Sequence, residues 1–168
     1  LRPKTWNGPA LATAYAASRS LPDVAWAIVT PADGLGPQDV RGLLRHADVL
    51  VVPSVDGTGL PAEGRPHVIT QALVAGVPIV GGPNQAVREV VREAGQVEVA
   101  RAGPGPLAAA VAQALGVQRA DLRIAAQRAG RRYEWSAVLP GWERALDAAQ
   151  RLPSGSSCST LLRYPVGV

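Results

Sequence analysis

Glu63, Gly64, Arg65 and Pro66 stand in a row, and Gln71 follows eight residues after the glutamate. They close a Gly- and Pro-rich loop, 55–66 (VDGTGLPAEGRP), and open a helix expected over 67–75 (HVITQALVA). The first backbone N–H groups of a helix lack internal partners and carry the positive end of its dipole. Such a terminus holds a diphosphate well. Gly64 would let the backbone come close to the anion, and Arg65 would add charge. Glu63 and Gln71 would accept hydrogen bonds from vicinal hydroxyls, on a sugar and a ribose for example. A plainer reading is equally open, with Glu63 favouring the helix dipole and Gln71 solvated on the helix surface. The residue types permit a nucleotide-sugar site without demanding one.

Other candidates are weaker. His67 adjoins the helix start, within reach of a phosphate, but a surface histidine there is ordinary. Asp56 reads as a turn residue. Trp26, Trp135 and Trp142 read as packing residues, and Trp6 as a half-buried anchor for the first helix. His46 and His67 are the only histidines and Cys158 the only cysteine, which excludes a multi-His metal site and a disulfide framework. Gly81-Gly82-Pro83 does not continue as a dinucleotide fingerprint, and no Walker lysine exists, so a nicotinamide oxidoreductase is a poor fit.

The elements that must position these residues follow from patterning. The chain has 168 residues, 47% hydrophobic and 18% charged, enough to bury a core. Its net charge is +4 and its pI near 10.0, and every basic residue except Lys4 is arginine. That charge is spread along the chain, which argues against a nucleic-acid arm. No apolar run approaches a membrane span. A single cysteine fits a reducing compartment, so the expected location is cytoplasmic, with or without peripheral contact to the inner membrane face. The chain contains no methionine and begins directly in patterned sequence, as a piece of something larger would.

Helices are expected over 9–20, 38–47, 67–75, 84–94, 106–115, 122–133 and 142–150, with Asp121 as an N-cap and Pro140 as a break before the last. Gly76 should cap the third helix in the left-handed conformation, and Gly95 should close the fourth. Apolar runs at 24–29 (VAWAIV), 49–54 (VLVVPS), 77–82 (VPIVGG) and 96–100 should be strands. Alternation of strand and helix predicts an α/β fold: a Rossmann-like parallel sheet with helices on both faces, spanning residues 1–150 as one domain, with an irregular tail over 151–168. Ligands of such sheets bind beyond the carboxyl ends of the strands, which directs attention to the loops after Ser54 and Val80.

Residues 47–91 carry a series of ordered motifs: Ala47-Asp48-Val49 with Pro53-Ser54, Glu63-Gly64-Arg65-Pro66, Ala75-Gly76-Val77-Pro78-Ile79-Val80, and Arg88-Glu89-Val90-Val91. GPGPLAAAVAQAL (103–115) and YEWSAVLPGWERAL (133–146) follow. The series resembles the C-terminal, donor-binding domain of GT-B glycosyltransferases of family 4, the group 1 glycosyl transferases, over roughly residues 8–150. The resemblance implies a retaining transferase acting on a nucleotide-diphosphate sugar as co-substrate, without a cofactor or protein-held metal. Glu63 would contact the donor sugar as the catalytic residue; Gly64, Arg65 and Pro66 would line the diphosphate end. Gln71 takes the place of a second glutamate that binds ribose hydroxyls, and Arg2 loosely fits an arginine that neutralises the departing phosphates. The implied partners are an N-terminal domain that closes the cleft and an acceptor glycan, lipid or small molecule; nucleic acid and a transmembrane segment are not among them.

The chain also departs from that pattern. Gln71 keeps an acceptor oxygen but loses the charge. Asn7-Gly8 stands where the family has Lys-Gly, and a neutral Asn stabilises a developing diphosphate charge less than a cation does. The stretch between Val29 and Val40 is shorter than the family's. An alternative reading is therefore a degenerate, non-catalytic module kept for protein association.

Overall fold

In a computed structural model, residues 8–56 and 67–151 are described; Arg2, Lys4, Trp6, Asn7, Glu63, Gly64, Arg65, Pro66 and the tail beyond Arg151 lie outside them. The chain divides into two compact units at Gly130/Arg131. The first holds α1 (Gly8–Arg19), α2 (Pro37–His46), β1 (Leu50–Val52), α3 (His67–Val74), β2 (Ile79–Gly81), α4 (Gln85–Glu93), β3 (Val97–Glu98), α5 (Pro104–Leu115) and α6 (Arg119–Gly130). The second holds a 3-10 turn, Arg131–Tyr133, and α7 (Trp135–Gln150).

Among the described residues the sheet has three parallel strands in the order β1-β2-β3, with Val51 opposite Val80 and Val80 opposite Val97. Ile79, Val80 and Gly81 are all buried, as expected of a central strand covered on both sides. One cover is α5 with α1: Val80, Val97 and Val99 pack with Leu107, Val111, Ala114 and Ala17. The other is α3 and α4, which contact β1, β2 and β3 and bury Ile69, Leu73, Val87, Val90 and Val91. This is a Rossmann-like α/β domain with helices on both faces.

The α4 stripe shows why sequence and burial agree. Val87, Val90, Val91 and Ala94 recur at helical spacing and all four are buried. Gly76 and Gly95 follow α3 and α4 with φ of 70° and 62°, the left-handed conformation a helix stop requires. Polar side chains then lock the layers. Gln96 accepts a hydrogen bond from Ile79 N at 3.0 Å and donates to the carbonyls of Ala94 and Leu122, both at 3.1 Å, joining β2, α4 and α6. Glu98 on β3 pairs with Arg88 and Arg92 of α4 at 3.0 and 2.9 Å. Arg119 at the start of α6 pairs with Asp48, just before β1.

Three expectations need correction. Residues 24–29 form no strand: Val24, Trp26 and Ile28 are half-buried and alternate with exposed neighbours, and Trp26 packs against the α1/α5 core without ladder pairing. Asp121 does not cap α6, which already begins at Arg119; the acid lies in its first turn, still favourable to the dipole. Pro140 does not end a segment but sits inside α7, which starts at Trp135. At the sixth residue of that helix its missing N–H costs one internal bond, to the carbonyl of Ser136.

The tightest crossing is α6 over α3. A Cβ on Gly130 would overlap the carbonyl of Leu73 and lie 2.8 Å from Val74 N. Gly130→Ala is expected to lower unfolding free energy by about 1–3 kcal/mol, because backbone rather than a flexible side chain must yield; urea denaturation followed by circular dichroism measures it. A second expectation concerns pH. Backbone and side-chain hydrogen bonds from Thr30, at 2.6 and 2.8 Å, hold the Asp33 carboxyl below its ordinary value of 3.8. The contact therefore contributes above the unfolded value and is lost as pH falls through the lowered folded one. The Thr30 amide proton shift in an NMR titration should stay constant down to about pH 4 and change only in more acid solution.

Candidate functional site

The parallel order of the strands brings their carboxyl ends to one edge of the sheet. After β1 the chain runs through Pro53, Ser54, Val55 and Asp56; after β2 it runs through Gly82, Pro83 and Asn84. Gly82 N donates to Val52 O at 2.7 Å and Val99 N to Gly81 O at 2.8 Å, so the pairing continues past the strand ends. A Cβ at Gly82 would lie 2.5 Å from Ser54 O and 2.8 Å from Pro53 C. The two exits therefore touch backbone to backbone, which only glycine allows at this position. Between them and α5 lies a slight crevice of about 10 Å³, bordered by Thr13, Pro53, Val55, Gly82, Gly103 and Leu107. Small-molecule pockets usually need ~300–1,000 Å³. Among the described residues, this edge supplies one wall of a site.

An acid and an amide organise that edge. Asp56 accepts from Asn84 Nδ2 at 2.8 Å through Oδ1 and from Gln85 N at 2.9 Å through Oδ2. Asn84 Oδ1 in turn accepts from Val87 N at 3.2 Å, the N-cap bond of α4. Two of the free N–H groups at the start of α4 are thus satisfied, and the negative Asp56 sits at the positive end of its dipole. The same bonds fix the residue from which the chain leaves the described region at 56. Asp56 is more than a turn residue: it ties the β1 exit to the β2 exit.

Of the residues singled out from sequence, Gln71 lies in the described region and Arg2, Glu63, Gly64, Arg65 and Pro66 do not. Gln71 is the fifth residue of α3 and exposed. His67, also exposed, opens the same helix four residues earlier, so the two share one face. The opposite face buries Ile69, Ala72 and Leu73. The helix presents its polar pair outward at its N-terminal turn and anchors itself by its apolar side. Trp135 and Trp142, read as packing residues, are 76% and 62% exposed, which corrects that reading.

The sequence reading passed over Asn84 and the partnership of Asp56. The first had a signal: Asn84 stands three residues before Val87, the start of the buried stripe. The second had none, because the pair is 28 residues apart. Among the described residues no group of three or more His, Cys, Asp or Glu could hold a metal ion, and no helix is long and apolar enough to cross a membrane.

A family model, Glycosyl transferases group 1, matches residues 13–116. The chain belongs to the group 1 glycosyl transferases. The match takes in the whole sheet, the crevice-lining residues and α3 with Gln71, and it ends before α6. A curated protein of Salmonella typhimurium (strain LT2), named "Putative colanic acid biosynthesis glycosyltransferase WcaL", is 36% identical over 58 residues. That alignment covers 34% of this chain and 14% of the Salmonella protein, so the chain corresponds to a small part of that relative. No solved structure matches the chain.

For a group 1 transferase the start of the loop after β1 must be fixed if the residues beyond it are to meet a ligand reproducibly. Asp56→Ala removes both acceptors and should destabilise α4 by about 1 kcal/mol, the usual cost of a lost cap. Amide hydrogen exchange should rise at Gln85, whose N–H Asp56 accepts, with Asp56→Asn losing less.

Proposed function

We propose that this chain is the donor-binding half of a retaining, family-4-like glycosyltransferase. In this reading it holds a nucleotide-diphosphate sugar while an N-terminal domain brings the acceptor, whether glycan, lipid or small molecule. The observation that carries the reading is the family match over 13–116, because it encloses the strand-end crevice and the exposed His67/Gln71 face together. The Salmonella relative is named for colanic acid biosynthesis, which is consistent with a glycosyl-transfer role for this chain.

Retaining transfer replaces the diphosphate at the anomeric carbon by an acceptor oxygen on the same face of the sugar. Charge develops on the departing diphosphate, and fixed donors aimed at it lower the barrier. The α3 N-terminus, Gly64, Arg65 and Arg2 would meet that charge, Glu63 would hold the sugar, and Gln71 would hold the ribose. Cytoplasmic placement suits such a donor. A crevice of about 10 Å³ cannot enclose a nucleotide sugar, so the isolated chain should bind donor weakly and transfer nothing measurable.

A second reading, a non-catalytic protein-association module, is favoured by one observation: a neutral glutamine occupies the exposed α3 position where the family pattern has an acid. Saturation-transfer NMR with UDP, GDP and ADP separates the two. Contact from at least one nucleotide is expected, and silence from all three would leave only the association reading. Gln71→Glu should tighten binding of the responding nucleotide by about 3–10-fold in calorimetric titration, since a charged acceptor adds about 1 kcal/mol to a hydroxyl hydrogen bond. An unchanged affinity would remove Gln71 from the ribose site.

A further inference from the structure

The three strands deliver three described segments to the carboxyl edge of the sheet, residues 53–56, 82–84 and 99–103. Between them these segments carry two charged side chains, Asp56 and Arg101. Asp56 is spent inside the molecule, on Asn84 Nδ2 and Gln85 N. The guanidinium of Arg101 is exposed and has no ion pair or hydrogen bond among the described residues. The carboxylate is met by the positive end of the α4 dipole, whereas the guanidinium is met by nothing. This edge therefore offers an anion one strong, planar, permanently charged donor.

The backbone on which Arg101 stands is held. Val99 is buried, and its N–H donates to Gly81 O at 2.8 Å. The carbonyl of Ala100 accepts from Arg88 Nη2 at 2.7 Å, and Arg88 Nε lies 3.0 Å from a Glu98 oxygen. Residues 98–100 are thus tied to β2 and α4 immediately before the arginine. Immediately after it, Ala102 and Gly103 border the crevice beside Gly82 and Pro53. Gly103 has a φ of 135°, which L side chains rarely adopt, so this path of the chain is specific to glycine. A cation carried on a fixed base loses less conformational entropy when it meets a ligand.

The helix termini at the crevice do not supply that charge. The start of α4 is satisfied by Asp56 and Asn84. Helix α5 begins Pro104-Gly105-Pro106, and the two prolines have no N–H to offer. Leu107 N already donates to Gly103 O at 3.2 Å. At most the N–H of Gly105 is left there, too little to hold a diphosphate by a helix terminus alone. A side-chain cation fits the part, because a guanidinium fork matches two phosphate oxygens at once. The exits of β1 and β3 lie roughly 10 Å apart, two interstrand spacings, a gap that an arginine and a diphosphate can span together. We propose that Arg101 is a further donor-binding residue, which takes the diphosphate of a nucleotide sugar at the carboxyl edge of the sheet. The assignment rests on the donor-binding reading above and adds a contact to it.

NMR titration of the full 168-residue chain tests it, with UDP, GDP and ADP beside uridine, guanosine and adenosine. For the diphosphate that binds, Arg101→Gln should weaken affinity about 3–10-fold at low ionic strength, as expected of an exposed charge-assisted contact. The matching nucleoside should be unaffected. Arg101→Lys keeps the charge and loses the fork, so its affinity should fall between the two. Arg45→Gln removes an equal, exposed charge at the end of α2, ahead of β1 and so toward the amino edge, and should change nothing. All these positions are exposed, so folding is expected to survive, and circular dichroism confirms it for each variant. A diphosphate that binds Arg101→Gln undiminished overturns the assignment and leaves the donor-binding reading standing. An equal loss in Arg45→Gln, reporting only the field of the whole chain, or an equal loss for the nucleoside overturns it in the same way. Silence from all three diphosphates with the unsubstituted chain overturns the assignment and the donor-binding reading together.

Discussion

The fold depends on a strand of three residues that has no solvent on any side. Ile79, Val80 and Gly81 are hydrogen-bonded in parallel to a neighbour on each edge and covered by helices above and below. A buried backbone must find a partner for every N–H and carbonyl, and a short β3 cannot supply them all. Gln96 compensates: its side-chain oxygen takes the Ile79 N–H where the ladder to β3 has not yet begun. The same amide then donates to α4 and α6, so the completion of the sheet also aligns two helices. Strand, helices and capping polar groups form one cooperative arrangement rather than separate layers.

From the same strand comes the geometry of the site edge. Gly82 continues β2 without a side chain, which allows Ser54 to approach it through the backbone, and Asp56 then reaches the start of α4. A bulkier exit from β2 would push the β1 loop away and break both of those bonds. The chain therefore spends two anion-favouring N–H groups of α4 on its own side chains, Gln85 N on Asp56 and Val87 N on Asn84. The start of α3, four residues before Gln71, is another helix terminus within the family-matched region, as is the start of α5 beside Gly103. That division follows from the carboxylate at 56 and needs no ligand to explain it.

Much of this was readable from residue types. Helix spans followed from the spacing of Val87, Val90 and Val91 or of Leu107 and Val111, because burial on one face imposes a 3.6-residue period. Gly76 and Gly95 marked helix ends for a local steric reason. VAWAIV misled for the opposite reason. A six-residue apolar run records that side chains such as Trp26 are covered, but ladder pairing requires a neighbour elsewhere in the chain, and local composition does not encode it. Pro140 misled because its cost falls mainly on one hydrogen bond, which a sixteen-residue helix survives. The ordered motifs from Asp48 to Val91 made the family legible, and those among the described residues sit at a structural requirement: strand, turn, cap or close contact. The Asp56–Asn84 tie was invisible for want of any local signature.

On the reading proposed above, a half-site has physical consequences for recognition. Diphosphate binding at a helix terminus is strongest where water is excluded, since the effective dielectric sets the strength of every charge–dipole contact. The crevice beside Gly82 is shallow and open, so a nucleotide resting there would keep much of its hydration shell. Closure by a second domain would remove that water and raise the contribution of each N–H and of Arg65 at the moment the leaving charge develops. Transition-state binding is thereby separated from ground-state binding: the first would need both halves, the second only one. The replacement of an acid by Gln71 is least costly in such a scheme. A ribose contact acts on the ground state and the transition state alike, whereas the groups facing the diphosphate act chiefly on the latter.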